Sequence, residues 1–330
     1  MRKRQGDPAR VPVLFIGGHS RSGSTLLSRL LGQQQSMISV GELTFIGSRG
    51  FQNNQLCSCG QPFSECPFWS EVVAQVAGPT PSKWFARFDQ LRQEVDRMRY
   101  VPALAFHHNS QTTSFSMARS AEYIEMLNAL LKSIAAITGA DVIVDSSKEP
   151  PHGFLLSKCN SVNLYPLHLV RDCRAVAFSQ QRIRVRPEIY WKTEHMPRFS
   201  PTKSATDWML TNSLMHLLGR TAGRYFRIKY EDMVLDPKKV STALLNWVGV
   251  NITSPSNGPR VLNGAGEHEL SGNPMRFKQE FKITPDIEWV ESMATRDKIV
   301  TTAISASLLL KYGYGLTIPA TSQKDHQHSR

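Results

Sequence analysis

The residues best suited to chemistry lie in the run Gly17-Gly18-His19-Ser20-Arg21-Ser22-Gly23-Ser24-Thr25-Leu26-Leu27. Small residues between glycines let backbone N–H groups converge on an anion. The apolar spacing that follows opens a helix, whose N-terminal dipole favours the same negative charge. The spacing of Gly18, Gly23 and Thr25 nearly fits the nucleotide-binding P-loop, but the required lysine position holds Ser24. That lysine would hold the β- and γ-phosphates beside Mg²⁺, which a serine cannot do. The only cation in the loop is Arg21, a planar donor fork. Either Arg21 is a surface arginine on a tight turn, or it and the backbone of Ser22, Gly23, Ser24, Thr25 and Leu26 hold an anionic chain shorter than a triphosphate.

Further polar groups stand where strands are expected to end. Arg171 follows the apolar run Tyr165–Val170, and Ser179 lies about two helical turns later. Together they can hold a second phosphate, although a strand-end arginine paired to Asp172 or Glu231 reads as well from the residues alone. Glu42, in Gly41-Glu42-Leu43, comes where the chain has returned towards the loop and is a candidate general base. His107, His108 and His152 are alternatives for that role. Lys148 ends Asp145-Ser146-Ser147-Lys148 after the strand Val142–Val144. Cys57, Cys59 and Cys66 can supply three metal ligands, but no fourth is evident and structural zinc sites use four. No metal site is therefore expected, and a packed or redox-sensitive thiol cluster is preferred.

The elements that must position these groups follow from periodicity. Val11–Ile16 is a short, continuous apolar strand stopped by glycine, and residues 24–32 form a helix with Leu26, Leu27, Leu30 and Leu31 on one face. Residues 47–67 read as irregular. Trp84, Phe85, Phe88, Leu91, Val95 and Met98 recur at helical spacing, and a second long helix spans 117–138. A helix starts near Cys173 and is expected to continue through Arg182–Arg186. Helix 205–222 leads to strand 225–228, Asp236-Pro237 opens helix 238–248, residues 251–274 form a loop, and helix 295–311 closes the domain. Strands alternating with helices imply an α/β fold with a mostly parallel sheet covered on both faces. In such sheets ligands bind outside the carboxyl ends of the strands.

Composition narrows the partners. The chain has 330 residues, 41% of them hydrophobic, and a formal charge of +12 from 39 Lys+Arg against 27 Asp+Glu. That balance favours anionic partners, but no nucleic-acid-binding motif is present. No apolar run reaches the roughly 18–20 residues of a membrane span. With no secretory leader in view and an odd count of five cysteines, a cytoplasmic location is expected.

Taken together, the chain resembles the sulfotransferases that use 3′-phosphoadenosine 5′-phosphosulfate (PAPS), especially the bacterial branch and the protein-tyrosine sulfotransferases. Arg21-Ser22-Gly23-Ser24-Thr25 is similar to their 5′-phosphosulfate loop. The segment from His168 to Ser179 is similar to their 3′-phosphate motif, including the Arg171-to-Ser179 spacing. Lys229-Tyr230-Glu231-Asp232-Met233 resembles their Tyr-Glu-Asp segment, and Gly272-Asn273-Pro274-Met275-Arg276-Phe277 the segment that closes over the 3′-phosphate in bacterial members. The resemblance runs from about residue 11 to 315.

It implies a P-loop-like three-layer fold with a helical cap, about residues 70–138, inserted into a domain of residues 11–318. Residues 1–10 and 319–330 are expected to be disordered. It also implies a donor, PAPS, held by Arg21 to Leu26, Arg171, Ser179, Tyr230 and Arg276, with no metal required. Glu42 matches the catalytic glutamate of the tyrosylprotein and bacterial enzymes, Lys148 the lysine that contacts the bridging oxygen, and Arg21 shares the leaving-group role. The implied reaction is in-line sulfuryl transfer to an unidentified hydroxyl or amine of a carbohydrate, lipid, peptide or small natural product. A P-loop kinase with a displaced cation and a non-enzymatic polyanion-binding protein are the competing readings.

Overall fold

The computed structural model describes residues 10–106, 114–250, 261–263 and 267–317. His107, His108, most of the expected N-terminal disorder, the expected tail and much of the loop 251–274 lie outside these residues. Five strands form one sheet: β1 Val11–Gly17, β2 Met37–Gly41, β3 Val142–Lys148, β4 Val162–Val170 and β5 Phe226–Lys229. Their order is β2-β3-β1-β4-β5, and every pairing is parallel. All five carboxyl ends therefore open on the same side.

The helices are α1 Ser24–Gly32, α2 Pro67–Ala77, α3 Pro81–Val95, α4 Val101–Phe106, α5 Ser114–Thr138, α6 Pro150–Ser157, α7 Cys173–Gln181, α8 Pro201–Thr221, α9 Tyr230–Leu235, α10 Pro237–Val248, α11 Trp289–Ser292 and α12 Thr295–Lys311. A short antiparallel ribbon pairs β6 Val261–Asn263 with β7 Glu280–Lys282. No described helix is long and apolar enough to cross a membrane.

The period-two alternation of β1 splits the core in two, because successive strand side chains point to opposite faces. Leu14 and Ile16 pack with Leu27, Leu30 and Leu31 of α1 and with Leu244 of α10. Val13 and Phe15 pack with Leu127 and Leu131 of α5 and with Phe154 of α6. The result is the α/β/α layering expected of a buried parallel sheet. Trp69, Phe85 and Phe88, from the helices inserted between β2 and β3, belong to that second core. The inserted helices thus build much of that flanking layer, with α5 against the sheet and α2 and α3 packed on α5.

Several boundaries differ from the sequence expectation. Strand β3 runs on to Lys148, so Asp145, Ser146 and Ser147 lie within it. Helix α3 starts earlier, with Pro81 in its first turn, and stops at Val95. The stretch 47–67 is not wholly irregular. Ile46–Gln52 winds into a wide π-type turn, and Phe63–Glu65 makes a 3₁₀ turn. Helix α7 ends at Gln181, so Arg182–Arg186 does not continue it. That run alternates charged and β-branched residues, which suits extended backbone. Val185 bridges His195, and Arg186 pairs with Glu188 and Glu194.

Candidate active site

Each strand of the sheet delivers one of the expected site residues at its carboxyl end. Arg21 follows β1, Glu42 follows β2, Lys148 ends β3, Arg171 follows β4 and Tyr230 follows β5. Direct contacts tie neighbours together. Lys148 Nζ donates to Glu42 Oε1, Arg171 Nη1 donates to the Arg21 carbonyl at 3.2 Å, and the Arg171 guanidinium lies 4.3 Å from the centre of the Tyr230 ring. The Gly18 N–H donates to the Lys148 carbonyl at 3.1 Å, joining the first loop to the end of β3.

The loop after β1 needs its glycines. Gly18 has φ 142°, and a Cβ there would sit 2.3 Å from the Leu169 carbonyl oxygen. Gly23 has φ 96° and is pressed against the Tyr230 ring. As the N-cap of α1, Gly23 offers no side-chain acceptor, and the first turn of α1 carries no acidic residue. The leading N–H groups of α1 are therefore free of intrahelical partners and of a side-chain cap. The Ser22 hydroxyl and Arg171 Nε are buried without partners.

Cations gather around this helix end. Burial together with the Arg184 and Arg171 charges brings the Arg21 pKa down to about 10, against an opposing pull from Glu42. Like charges held this close favour an anion between them. Arg171 already has one anionic partner, Asp286, at 3.0 Å. That partner is neither Asp172 nor Glu231, the two suggested by the sequence. Asp172 instead caps α7 and pairs with Arg174 at 2.7 Å, while Glu231 accepts from the Asp172 N–H and the Tyr314 hydroxyl. Ser179 is buried on α7.

Arg276 has a different setting from the one the resemblance implies. Its side chain is 1% exposed, and it donates to the main-chain carbonyls of Glu269 and Leu56, both at 3.2 Å. The segment Gly272–Phe277 is tied to α1: the Asn273 N–H donates to Thr25 Oγ1 at 3.0 Å, and Arg29 donates to the Met275 carbonyl at 2.8 Å. This segment braces the loop from outside, with Arg276 turned into the interior.

Glu42 is 6% exposed and sits among donors. Besides Lys148, Ser271 Oγ donates to its Oε2 at 3.0 Å, and Arg49 Nη1 lies 3.4 Å from the same oxygen. Burial works to raise its pKa, but the Lys148 and Arg49 charges and the hydrogen bonds outweigh it, so the net displacement is downward. The carboxylate is thus ionised and hydrogen-bonded. Four described non-glycine residues have positive φ, and three of them (Arg21, Lys148 and Ser271, at 69°, 69° and 63°) line this region. Strained backbone concentrates where side chains must be aimed. The carboxyl of Glu149, beside Lys148, is pushed up to about 7 by burial and Asp96.

His152 is fully buried. Its Nε2 lies 2.9 Å from Asp145 Oδ2, and its Nδ1 lies 3.8 Å from Asp96. Burial favours the neutral ring, yet Asp145 and then Asp96 outweigh it and the pKa is raised. Enclosed in this way, His152 is not open to an acceptor. Asp145 is equally committed, since it also accepts the Ser147 N–H at 2.9 Å. A depression of about 720 Å³ elsewhere, lined by Phe226, Ile228, Asp232, Pro237 and Val240, contains none of the site residues.

The sequence reading missed Arg49, Ser271 and Asp286, which lie in stretches with no periodic signal, whereas Arg184 belongs to the basic run Arg182–Arg186 that it singled out. It also missed the partner of the cysteines. The ligand atoms of Cys57, Cys59, Cys66 and His268 all lie within 4.8 Å of one another.

A family profile described as "Sulfotransferase family" matches residues 12–254. No curated protein sequence matches the chain significantly. Among solved structures, the sulfotransferase domain from the Synechococcus PCC 7002 olefin synthase is 19% identical, over 93% of this chain and 97% of that one, with a TM-score of 0.46. The sulfotransferase domain from the curacin biosynthetic pathway is 15% identical, over 94% and 100%, with a TM-score of 0.47. Sulfotransferase STF9 from Mycobacterium avium is 13% identical, over 94% and 78%, with a TM-score of 0.47.

Proposed function

The chain belongs to the sulfotransferase family, and on that premise we propose that it moves a sulfuryl group from PAPS to a hydroxyl or amine acceptor, with Glu42 as general base. The observation that carries this reading is the meeting of Arg21, Glu42, Lys148, Arg171 and Tyr230 at consecutive strand ends around an uncapped helix N-terminus. The unpartnered Ser22 hydroxyl and Arg171 Nε, and glycines that tolerate no Cβ, fit an anion seated on the loop.

When bound, the donor supplies the activated sulfuryl group. The backbone N–H groups of Ser22 to Leu26 and the Arg21 guanidinium hold its 5′ end. Arg171 and Ser179 hold its 3′-phosphate, with Tyr230 buttressing the guanidinium from one side. Glu42 Oε takes the proton of the acceptor as its oxygen or nitrogen attacks sulfur. Arg21 and Lys148 stabilise the charge that grows on the leaving phosphate, commonly the larger contribution in transfers of this kind. Arg276 acts at a remove by fixing Leu56 and Glu269.

The kinase reading loses ground because Asp145, the acid available to hold Mg²⁺, is engaged by His152 and Ser147. Calorimetry separates the readings. 3′,5′-Adenosine bisphosphate is expected to bind more tightly than ATP–Mg²⁺, with little loss as salt is raised. Tight ATP–Mg²⁺ binding with none of the bisphosphate would favour a kinase, and preferential, salt-sensitive heparin binding would favour a polyanion module.

A further inference from the structure

The cysteine cluster lies outside the chemistry above, and its geometry is specific. Cys57 Sγ and Cys66 Sγ are 3.7 Å apart, Cys66 Sγ is 3.3 Å from His268 Nδ1, and Cys57 Sγ is 3.9 Å from the same nitrogen. Tetrahedral zinc with Zn–S of about 2.3 Å and Zn–N of about 2.0–2.1 Å requires S···S edges of about 3.8 Å and S···N edges of about 3.6 Å. The three distances among Cys57, Cys66 and His268 stand close to those edges, and the Cys59 sulfur lies within 4.8 Å of the other donors. We propose that Cys57, Cys59, Cys66 and His268 bind a zinc ion in a closed structural site.

The surrounding backbone presents the donors. Residues 56–62 form a tight hairpin: Leu56 bridges Pro62, the Cys57 N–H donates to the Gln61 carbonyl at 2.9 Å, and Gly60 turns the corner at φ 90°. The hairpin is laced to the segment carrying His268. The Ser58 N–H donates to the Glu269 carbonyl at 3.1 Å, and the Glu269 N–H donates to Ser58 Oγ at 2.7 Å. Trp69 Nε1 holds the His268 carbonyl at 3.0 Å, and the His268 ring stacks on Phe68. Arg276 bonds the carbonyls of Leu56, next to Cys57, and Glu269, next to His268, so a buried cation clasps both ligand-bearing segments. Three thiolates around a divalent ion leave one net negative charge for that cation to offset.

A Cys57–Cys66 disulfide would use two of the four donors and leave Cys59 and His268 unexplained. The ligands of an iron–sulfur cluster are spread over more than one iron, whereas these four donors crowd within 4.8 Å of one another around a single point. Three thiolates and one imidazole make a familiar closed zinc set with no position open for catalysis. The effect on the site is positional. His268 lies two residues before Leu270, whose carbonyl accepts the Glu42 N–H at 2.7 Å, and three before Ser271, which donates to the Glu42 carboxylate. The ion would hold these residues against the end of β2 without touching the acceptor.

The test is metal content, read without turnover, so its outcome is independent of the sulfuryl-transfer proposal. Full-length protein without a polyhistidine tag, purified from zinc-replete medium, is expected to carry one zinc per chain by plasma mass spectrometry. Cobalt(II) in its place should give the intense visible absorption of a tetrahedral thiolate site. Cys59→Ser should surrender zinc to a weak chelator that leaves the parent loaded, and His268→Cys should retain it. Folded protein that is metal-free, with a Cys57–Cys66 disulfide or three freely titrating thiols, overturns the proposal. Iron in place of zinc does so too, as does a folded His268→Ala variant that keeps full zinc occupancy with undiminished affinity.

Discussion

Glu42 is a carboxylate whose surroundings keep it ionised although it is buried. Lys148, Arg49 and Ser271 together outweigh the cost of burial. Glu42→Gln preserves the shape and one acceptor oxygen but cannot take a proton. It is expected to lower kcat by about 10²–10⁴-fold, the usual worth of a positioned base, while calorimetry finds the affinity for 3′,5′-adenosine bisphosphate unchanged. In the wild-type protein the acid limb of kcat/KM should fall below the ordinary glutamate value of about 4.3. A limb near the histidine value would instead point away from Glu42. The residues of this site differ in how readable they are. Arg21, Glu42, Lys148 and Arg171 stand next to strand ends, where sequence patterns are sharp. Arg49 and Ser271 leave no such mark: Arg49 sits in a π-type turn with no regular period, and Ser271 is placed by pairing at the edge of β2.

At the scale of elements, the junction of β1, α1 and α9 is closely packed. Gly23 begins α1 in a left-handed conformation, with the Tyr230 ring 2.6 Å from where a Cβ would stand. Gly23→Ala is expected to cost roughly 1–2 kcal/mol for the backbone alone, with more from displacing Tyr230 and, through it, Arg171. Denaturant unfolding should show a lower midpoint, and calorimetry should show weaker bisphosphate binding even in the folded variant. Expectation and structure agree on the run of elements because β1 and β4 are short apolar runs buried almost throughout and α1 carries its leucines at helical spacing. They part at Arg182–Arg186, where a charged run after a helix suggests more helix but Val185 pairs with His195 instead.

Across the whole molecule, contacts between distant parts of the chain close the site. His152 on α6 joins Asp145 on β3 to Asp96 beyond α3, linking the sheet to the inserted helices. Removing the imidazole with His152→Leu leaves buried carboxylates without their counter-charge, and is expected to cost about 3–5 kcal/mol. Because the His152 pKa is raised in the folded protein, the stabilisation it provides is fully present below the ordinary value of about 6.5. It is lost as pH rises through the higher folded value. The stability gap between wild type and variant should therefore narrow on the alkaline side, as measured by unfolding over a pH series. Links of this reach are the least legible in sequence. Cys57, Cys59 and Cys66 are close neighbours in the chain, whereas His268 lies 202 residues beyond Cys66. No local period connects them, and only folding supplies the fourth donor.

The pairing of Lys148 with Glu42 also bears on timing. In this structure the ammonium and the carboxylate satisfy each other. In the proposed reaction, arrival of the anionic donor draws the ammonium away, and the carboxylate then regains its appetite for a proton. An acceptor that enters first meets a base already engaged. The proposed reaction therefore predicts ordered binding, with the donor before the acceptor.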